Sequence, residues 1–254
     1  MKIAVAGKGG SGKTTVAAAI ARTLADAGVD VIAIDADANP NLGGSLGLGE
    51  GTADIASIKN VLYEDEGHNQ QSQAHTIEHL LTEFGVDAPG GVRLLQVGTV
   101  ERPSKGCLCC GSHATFRDVY ERIPADGRRA VVTDLEAGVN DLLWAKPDPD
   151  DSLVIVVDPS QKSLLVGTRI AAVATELGLR RIVVVANRVE SDDDLERARA
   201  AFPELPVIAV PDDPLVREAD RLARSALAVA EGGTAIPALR ELARRLWSEQ
   251  AVVA

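Results

Sequence analysis

Nine residues near the start of the chain, Gly7-Lys8-Gly9-Gly10-Ser11-Gly12-Lys13-Thr14-Thr15, match the phosphate-loop pattern G-x-x-x-x-G-K-[ST]. The apolar run Lys2–Ala6 predicts a strand before the loop, and the Ala-rich run Val16–Ala27 predicts a helix after it. In such a unit, backbone N–H groups and the positive end of the helix dipole bind phosphate. We expect all nine residues to line a nucleotide, with Lys13 on the β- and γ-phosphates and the Thr14 hydroxyl on Mg²⁺. A Gly-rich turn without a ligand is the alternative that this context disfavours.

The second lysine of the loop, Lys8, is not required by the general pattern. A cation directly after Gly7 would crowd Lys13 unless its side chain pointed outward. Here the loop resembles the deviant phosphate loop of the MinD/ParA group of ATPases, in which this lysine acts across a dimer that sandwiches ATP. The resemblance implies ATP or ADP with Mg²⁺ as cofactors. It also implies a homodimer in the ATP state, in which Lys8 and Lys13 both serve catalysis.

The composition limits the classes of partner. The 254 residues are 46% hydrophobic and 25% charged, which is typical of a soluble globular protein with a sizeable core. The formal net charge of −11 disfavours a nucleic-acid partner, which requires a basic face. No run of 18 apolar residues and no leader peptide is apparent, so we expect a cytoplasmic protein with no membrane partner.

Apolar strands alternate with helices along the chain, which predicts an α/β fold with one doubly wound, mainly parallel sheet covered by helices on both faces. We expect a single domain over residues 1–254. The later predicted strands are Val29–Ile34, Val92–Val97, Ala130–Thr133, Leu153–Val157, Ile182–Ala186 and Val207–Val210. The later predicted helices are Ala53–Leu62, His75–Phe84, Ala114–Ile123, Lys162–Leu177, Asp192–Ala201, Leu215–Arg224 and Ala235–Trp247, and Glu64–Gln73 is expected to be a mobile surface segment.

Carboxylates follow several predicted strands, at the edge of a parallel sheet where ligands bind. Asp134 ends a strand in the position of a Walker-B aspartate, which holds the Mg²⁺ shell, and Gly138 could offer an N–H to the γ-phosphate. Asp35 and Asp37 lie two residues apart, so an extended backbone points both to one side. One could orient or deprotonate water while the other touches the Mg²⁺ shell. Resemblance to the MinD group selects Asp37 for the water and leaves Asp35 for the metal; helix caps or solvated loop carboxylates are the alternatives.

Two further loops are predicted at the base of the nucleotide. Asn187-Arg188 follows a strand and resembles the base-reading Asn of the MinD group, because an amide can both donate to and accept from a purine edge. GTPases continue that motif to an Asp, whereas Glu190 stands here, which favours adenine. Pro211-Asp212 resembles the loop that lies along the base. Simple turns are the alternative for both loops.

Three cysteines lie within four positions, in Gly106-Cys107-Leu108-Cys109-Cys110-Gly111-Ser112-His113. Thiolates bind metals such as Zn²⁺ or Ni²⁺, which typically take about four ligands. One Cys-x-Cys pair supplies two, and a two-fold dimer would supply the others by placing identical pairs face to face. Adjacent cysteines point apart, so His113 could instead complete a site within one chain. Free cysteines in a buried loop remain the alternative.

The order of these motifs resembles the CooC-type maturation ATPases, which assist nickel insertion into carbon monoxide dehydrogenase. In that family the Cys-x-Cys pairs of two subunits share a metal at the dimer interface, which corresponds to Cys107 and Cys109. The resemblance implies a nickel metallochaperone whose client is a metalloenzyme like carbon monoxide dehydrogenase. The sequence departs from the pattern at Cys110, at Glu136 and at Ala38, which replaces a frequent proline.

Two other functions are compatible with parts of the sequence. A spatial positioning ATPase of the MinD or ParA kind could use the apolar stripe at Ile236, Leu239, Leu242 and Leu246 as a membrane-surface helix. Packing of that stripe on the sheet is the favoured interpretation. A redox partner like the nitrogenase iron protein would need cysteines in two separated places, whereas this chain has one compact cluster.

Overall fold

Eight strands form one sheet in the order β3-β4-β2-β5-β1-β6-β7-β8, and every neighbouring pair is parallel except β3 with β4. The computed structural model describes residues 1–49, 76–97, 116–124, 129–136, 143, 147–222, 224–230 and 232–251. The strands are β1 (Lys2–Gly7), β2 (Asp30–Asp35), β3 (Val86–Ala88), β4 (Val92–Gln96), β5 (Arg129–Asp134), β6 (Ser152–Val157), β7 (Arg181–Val189) and β8 (Val207–Pro211). The predicted α/β fold with a mainly parallel sheet is confirmed.

Helices cover both faces of the sheet. They are α1 (Lys13–Asp26), α2 (Leu42–Leu46), α3 (Ile77–Phe84), α4 (residues 116–122), α5 (Gln161–Glu176), α6 (Asp192–Ala201), α7 (Pro214–Arg221), α8 (Ala226–Val229) and α9 (Ala235–Ala251). One core lies between the sheet and α1, α7 and α9, and a second lies between the opposite face and α3 to α6. The central strands are buried on both faces, which explains their almost continuous apolar sequences.

The apolar stripe of the C-terminal helix belongs to the core. Ile236, Leu239, Leu242 and Leu246 of α9 are buried in the cluster that includes α1. The expectation that this stripe packs inward is therefore confirmed, and the stripe is not available to a membrane surface. Among the described helices, none combines the length and apolar character needed to cross a bilayer.

Three short elements were not predicted: β3, α2 and α8. The five residues of α2 include Gly43 and Gly44, which disfavour a helix. The helix forms because the Asp35 carboxylate, from the end of β2, accepts the backbone N–H of Leu42 at 2.8 Å. The hydrogen bond from Leu42 to Asp35 thus outweighs the low helix propensity of the two glycines. The predicted helix Ala53–Leu62 and the segment Glu64–Gln73 lie outside the described residues.

The sheet register brings the polar strand ends together. Asp35 at the end of β2 is the register neighbour of Asp134 at the end of β5. Asp134 is in turn the neighbour of Val5 in β1, directly before the phosphate loop. On the other side of β1, β6 separates the loop from β7, whose end carries Asn187. Four parallel strands therefore present the predicted site residues at one edge.

Candidate nucleotide site

The phosphate loop connects β1 directly to α1. The Ser11 N–H donates to the Lys8 carbonyl at 3.1 Å, and α1 begins at Lys13 behind Gly12. Gly12 has a φ of 99°, and a Cβ at this position would overlap the side-chain amide of Asn187. Only glycine combines that backbone geometry with so close a neighbour. Lys13 is buried at the start of the helix, where its ammonium charge lies beside the Asp134 carboxylate.

The end of β7 is tied to the loop by two hydrogen bonds. The Asn187 amide nitrogen donates to the Ser11 carbonyl at 2.8 Å, and the Arg188 guanidinium donates to the Gly10 carbonyl at 3.1 Å. The pairing with β8 is irregular here, and Arg188 has a φ of 59°. The Asn187 carboxamide has a second N–H and an oxygen with which to bind a base. Base recognition by Asn187 and Arg188 stays a prediction.

Asp134 is a buried carboxylate that lacks a full set of partners. The Thr14 hydroxyl hydrogen bonds to it, but its Oδ1 has no hydrogen-bond partner among the described residues. Burial, and after it the neighbouring charge of Asp35, raise the pKa of Asp134 to about 7, although Thr14 and Lys13 act to lower it. A buried carboxylate oxygen without a hydrogen-bond partner lowers the stability of the fold unless a ligand binds to it.

The donors around Asp134 fit Mg²⁺. A carboxylate and the hydroxyl of Thr14 are the hard oxygen ligands that this ion prefers, and it commonly takes its other ligands from phosphates and water. The buried Oγ of Ser11 and Oγ1 of Thr133 also have no partner among the described residues. Thr14 and Asp134 are the residues that would hold the ion. When bound, Mg²⁺ neutralises charge on the phosphates during transfer.

Asp35 organises the loop that follows β2. Its carboxylate accepts the backbone N–H groups of Asp37 at 3.2 Å, Asn41 at 2.9 Å and Leu42 at 2.8 Å. Burial raises the pKa of Asp35 to about 6, although these N–H groups act in the opposite direction. Both oxygens are therefore engaged by the chain itself. A contact from Asp35 to the Mg²⁺ shell stays a prediction, and loop organisation is the role that its contacts define.

Asp37 and Lys8 are the more accessible charged groups of the site. The half-buried Asp37 accepts the N–H of Asn39 at 2.8 Å through Oδ1. The Lys8 ammonium is exposed and donates to the carbonyl of its neighbour Gly9 at 3.3 Å. The Lys8 ammonium is thus at the surface, whereas Lys13 is buried. The roles of Asp37 with water and of Lys8 with a second subunit stay predictions.

A cavity of about 940 Å³ extends from the phosphate loop to the turn after β8. Its volume is in the upper part of the range typical of small-molecule sites. The lining includes Gly10, Gly12 to Val16 and Asn187, together with Pro211, Asp212 and Val216. The Asp212 carboxylate pairs with the Arg217 guanidinium. Five residues of the phosphate loop thus share one cavity with the predicted base-binding residues, whereas Gly7, Lys8, Gly9 and Ser11 are not part of its lining.

Several predicted residues lie outside the described part of the chain. Gly138 follows the described end of β5, and the cysteine segment with Cys107, Cys109, Cys110 and His113 precedes α4. Within the described ranges, no cluster of three His, Cys, Asp or Glu side chains has the arrangement of a metal site. Metal binding by Cys107 and Cys109 therefore stays a prediction.

Asp213 is a residue of the cavity wall that the sequence reading missed. It caps α7 by accepting the N–H of Leu215 at 2.9 Å, and Pro214 occupies the first turn. The pair Asp-Pro is a recognised start signal for a helix and could have revealed this cap. Nothing local could have revealed that the same carboxylate also binds the start of α9, at Thr234 and Ala235.

Comparison with known families agrees with this geometry. The family described as the CobQ/CobB/MinD/ParA nucleotide binding domain matches residues 2–224. The chain belongs to this family. The predicted membership of the MinD/ParA group is therefore confirmed, and the chain is a P-loop ATP hydrolase.

Relatives in this family include carbon monoxide dehydrogenase accessory protein CooC from Rhodospirillum rubrum, 34% identical over 204 residues that cover 77% of each chain. An uncharacterised ATP-binding protein of Methanocaldococcus jannaschii is 30% identical over 76% of this chain and 77% of its own. The predicted resemblance to CooC is thus confirmed. Among solved structures, the septum site-determining protein MinD from Pyrococcus horikoshii, complexed with Mg-ADP, superposes with a TM-score of 0.74. That likeness covers 100% of this chain and 98% of the other at 20% identity, which establishes the shared fold.

Proposed function

We propose that this family member is a dimerising ATPase that acts as a metallochaperone for a client metalloenzyme. The single observation that supports it most is the 34% identity to the carbon monoxide dehydrogenase accessory protein over 77% of both chains. A client like carbon monoxide dehydrogenase follows from that relative, and such work would take place in the cytoplasm. The transferred ion, Ni²⁺ or Zn²⁺, is the cargo of the protein, whereas Mg²⁺ accompanies the nucleotide.

ATP would control the association of two subunits. The exposed Lys8 ammonium lies on the phosphate loop but contacts its own loop only through the Gly9 carbonyl in the described structure. A cation at this position would be attracted to the phosphates of a nucleotide on a facing subunit, because unpaired charges at a low-dielectric interface interact strongly. Asp37, half-buried beside Asp35, is our candidate for orienting water. Hydrolysis would remove the γ-phosphate and release the partner.

The metal would lie between two cysteine pairs. Cys107 and Cys109 of one subunit and the same pair of the other would supply four thiolates, which suits a tetrahedral site. Because each subunit holds half of the ligands, the affinity for metal would depend on dimerisation. ATP binding would therefore load the metal, and hydrolysis would release it.

Metal titration in the presence of ATP tests this proposal. The wild-type protein should bind one Ni²⁺ or Zn²⁺ per two chains, with higher affinity in ATP than in ADP. A Cys107→Ala/Cys109→Ala variant should lose that site, whereas Cys110→Ala is the matched control and should retain it. Unchanged stoichiometry in the double variant would remove the metallochaperone assignment.

A positioning ATPase of the MinD or ParA kind is a second function compatible with parts of the sequence. Its proposed membrane helix is buried as α9, so the described structure gives it no support. ATP-dependent co-sedimentation with liposomes or DNA would separate the two functions, and strong binding to either would favour the positioning role.

A further inference from the structure

A single carboxylate joins two helices that line the cavity, α7 and α9. Asp213 Oδ1 accepts the N–H of Leu215 at 2.9 Å, in the first turn of α7. Asp213 Oδ2 accepts the N–H groups of Thr234 at 2.8 Å and Ala235 at 3.1 Å, where α9 begins. Thr234 and Ala235 lie 21 and 22 residues after Asp213 in the sequence, beyond α7 and α8, and the two helix starts meet at this side chain.

The site around Asp213 is closely fitted. The residue is only 4% exposed, and a Cβ on Gly233 would overlap its carboxylate. Burial acts to raise the pKa of Asp213, but the N–H groups of Ala235, Leu215 and Thr234 outweigh burial and hold the pKa below its ordinary value. The carboxylate is thus ionised in the folded protein, and it compensates the positive ends of two helix dipoles.

The two helices capped by Asp213 contribute one wall of the cavity that the phosphate loop also lines. Pro211, Asp212 and Val216 line the cavity from the turn into α7, and Ala235 and Leu239 line it from α9. The position of this wall relative to the loop sets the width of the space left for a base. A group that locks both helices together therefore acts on that width.

We propose that Asp213 is a positioning residue for the base of the nucleotide, because it fixes α7 against α9 and so fixes the wall along which the base lies. This rests on the placement of the base beside Asn187, Pro211 and Asp212 in the proposed ATPase. Asp213 itself does not need to touch the nucleotide. Its loss should weaken the binding of a base and leave the binding of phosphate groups to the loop unchanged.

The substitution Asp213→Ser separates the two caps. A serine hydroxyl still caps α7, but it is too short to reach Thr234 and Ala235. Calorimetric titration with Mg-ADP and with Mg-pyrophosphate compares a ligand that has a base with one that has none. We expect a Kd for ADP about tenfold higher and a Kd for pyrophosphate within about twofold of wild type, since charge-assisted hydrogen bonds are lost only at the wall. Asp193→Ser, an exposed carboxylate of α6 outside the lining of this cavity, is the matched control and should change neither.

Each other result counts against the proposal. If Asp213→Ser bound ADP and pyrophosphate with equally reduced affinity, Asp213 would support the fold as a whole. If the affinity for neither ligand changed, the cap on α9 would be irrelevant to binding of the base. If Asp213→Ser does not fold, Gly233→Ala displaces the same carboxylate and must give the same selective loss. A wild-type protein that binds ADP no more tightly than pyrophosphate would overturn the base placement together with the role of Asp213. The metal titration judges the metallochaperone function separately.

Discussion

The side-chain amide of Asn187 donates a hydrogen bond of 2.8 Å to the carbonyl oxygen of Ser11, 176 residues earlier in the chain. This bond joins the end of β7 to the middle of the phosphate loop. The bond therefore preorganises the loop backbone, whose N–H groups would bind phosphate. Such preorganisation lowers the cost of ordering the loop on binding.

Asn187→Ala should weaken the binding of both ADP and pyrophosphate, because the loop loses its support in addition to any contact with the base. The loss of one buried hydrogen bond predicts a Kd increase of about threefold to tenfold for pyrophosphate. Calorimetric titration with both ligands measures this effect. Asp193→Ala, an exposed change on α6, is the control. Full retention of pyrophosphate affinity would show that the bond to Ser11 does not shape the loop.

Gly12→Ala should abolish nucleotide binding and lower the free energy of unfolding by about 1–3 kcal/mol, a cost typical of a side chain in the left-handed region. The added Cβ would also displace the Asn187 amide. Gly178→Ala is a matched control, because Gly178 has a φ of 81° but open space around its Cα. It should lose stability through backbone strain alone and bind nucleotide normally. Denaturant unfolding and ADP titration of both variants provide the comparison.

The sheet and the phosphate loop were predictable because their signals are local. An apolar run of five or six residues defines a buried strand, and the G-K-[ST] pattern fixes the loop that follows β1. The meeting of Asp35 and Asp134 also followed from the sequence, since the carboxyl ends of parallel strands share one edge.

The details that organise the site depend on contacts between distant segments. α2 contains two glycines and exists because Asp35 accepts the N–H of Leu42. The second cap of Asp213 lies 21 and 22 residues away, at Thr234 and Ala235. No periodicity encodes such distances, so sequence patterns identified these residue types at a shared edge but not the hydrogen bonds between them.

Lys8→Ala should spare the binding of ADP but abolish ATP-driven dimerisation. It should also reduce the rate of ATP hydrolysis at least about 100-fold, because enzymes that lose one preorganised charge at the transition state lose activity on this scale. The reason is that the exposed Lys8 ammonium has room to act outside its own subunit. Light scattering with ATP, ADP titration and phosphate release measure the three properties. Lys13→Ala should lose nucleotide binding altogether, whereas the exposed control Lys162→Ala should resemble wild type. Dimerisation that survives in Lys8→Ala would contradict the sandwich arrangement.

The carboxyl groups of Asp134 and Asp35 should make two properties of the protein depend on pH. As the pH rises, the affinity for Mg-nucleotide should increase, whereas the stability of the nucleotide-free protein should decrease. The pKa is raised from 3.8 to about 7 for Asp134 and to about 6 for Asp35. Between the ordinary pKa and the raised pKa of each group, the folded protein therefore holds a proton that the unfolded chain has released. The stability contributed by the protonated forms is therefore lost as the pH rises from 3.8 through about 7.

A cation requires the ionised form of Asp134, so the affinity for Mg-ADP should increase as the pH rises through 6 to 7 and level off above about 7.

Asp134→Asn removes the buried charge and should raise the apo free energy of unfolding at high pH by about 2–4 kcal/mol, because each unit of pKa corresponds to about 1.4 kcal/mol. The same variant should bind Mg-ADP no more tightly than ADP alone. Denaturant unfolding and ADP titration, with and without Mg²⁺ across this pH range, measure both effects, and Asp193→Asn is the exposed control. An Asp134→Asn protein that is less stable than wild type at high pH would show that the ionised carboxylate has a compensating partner.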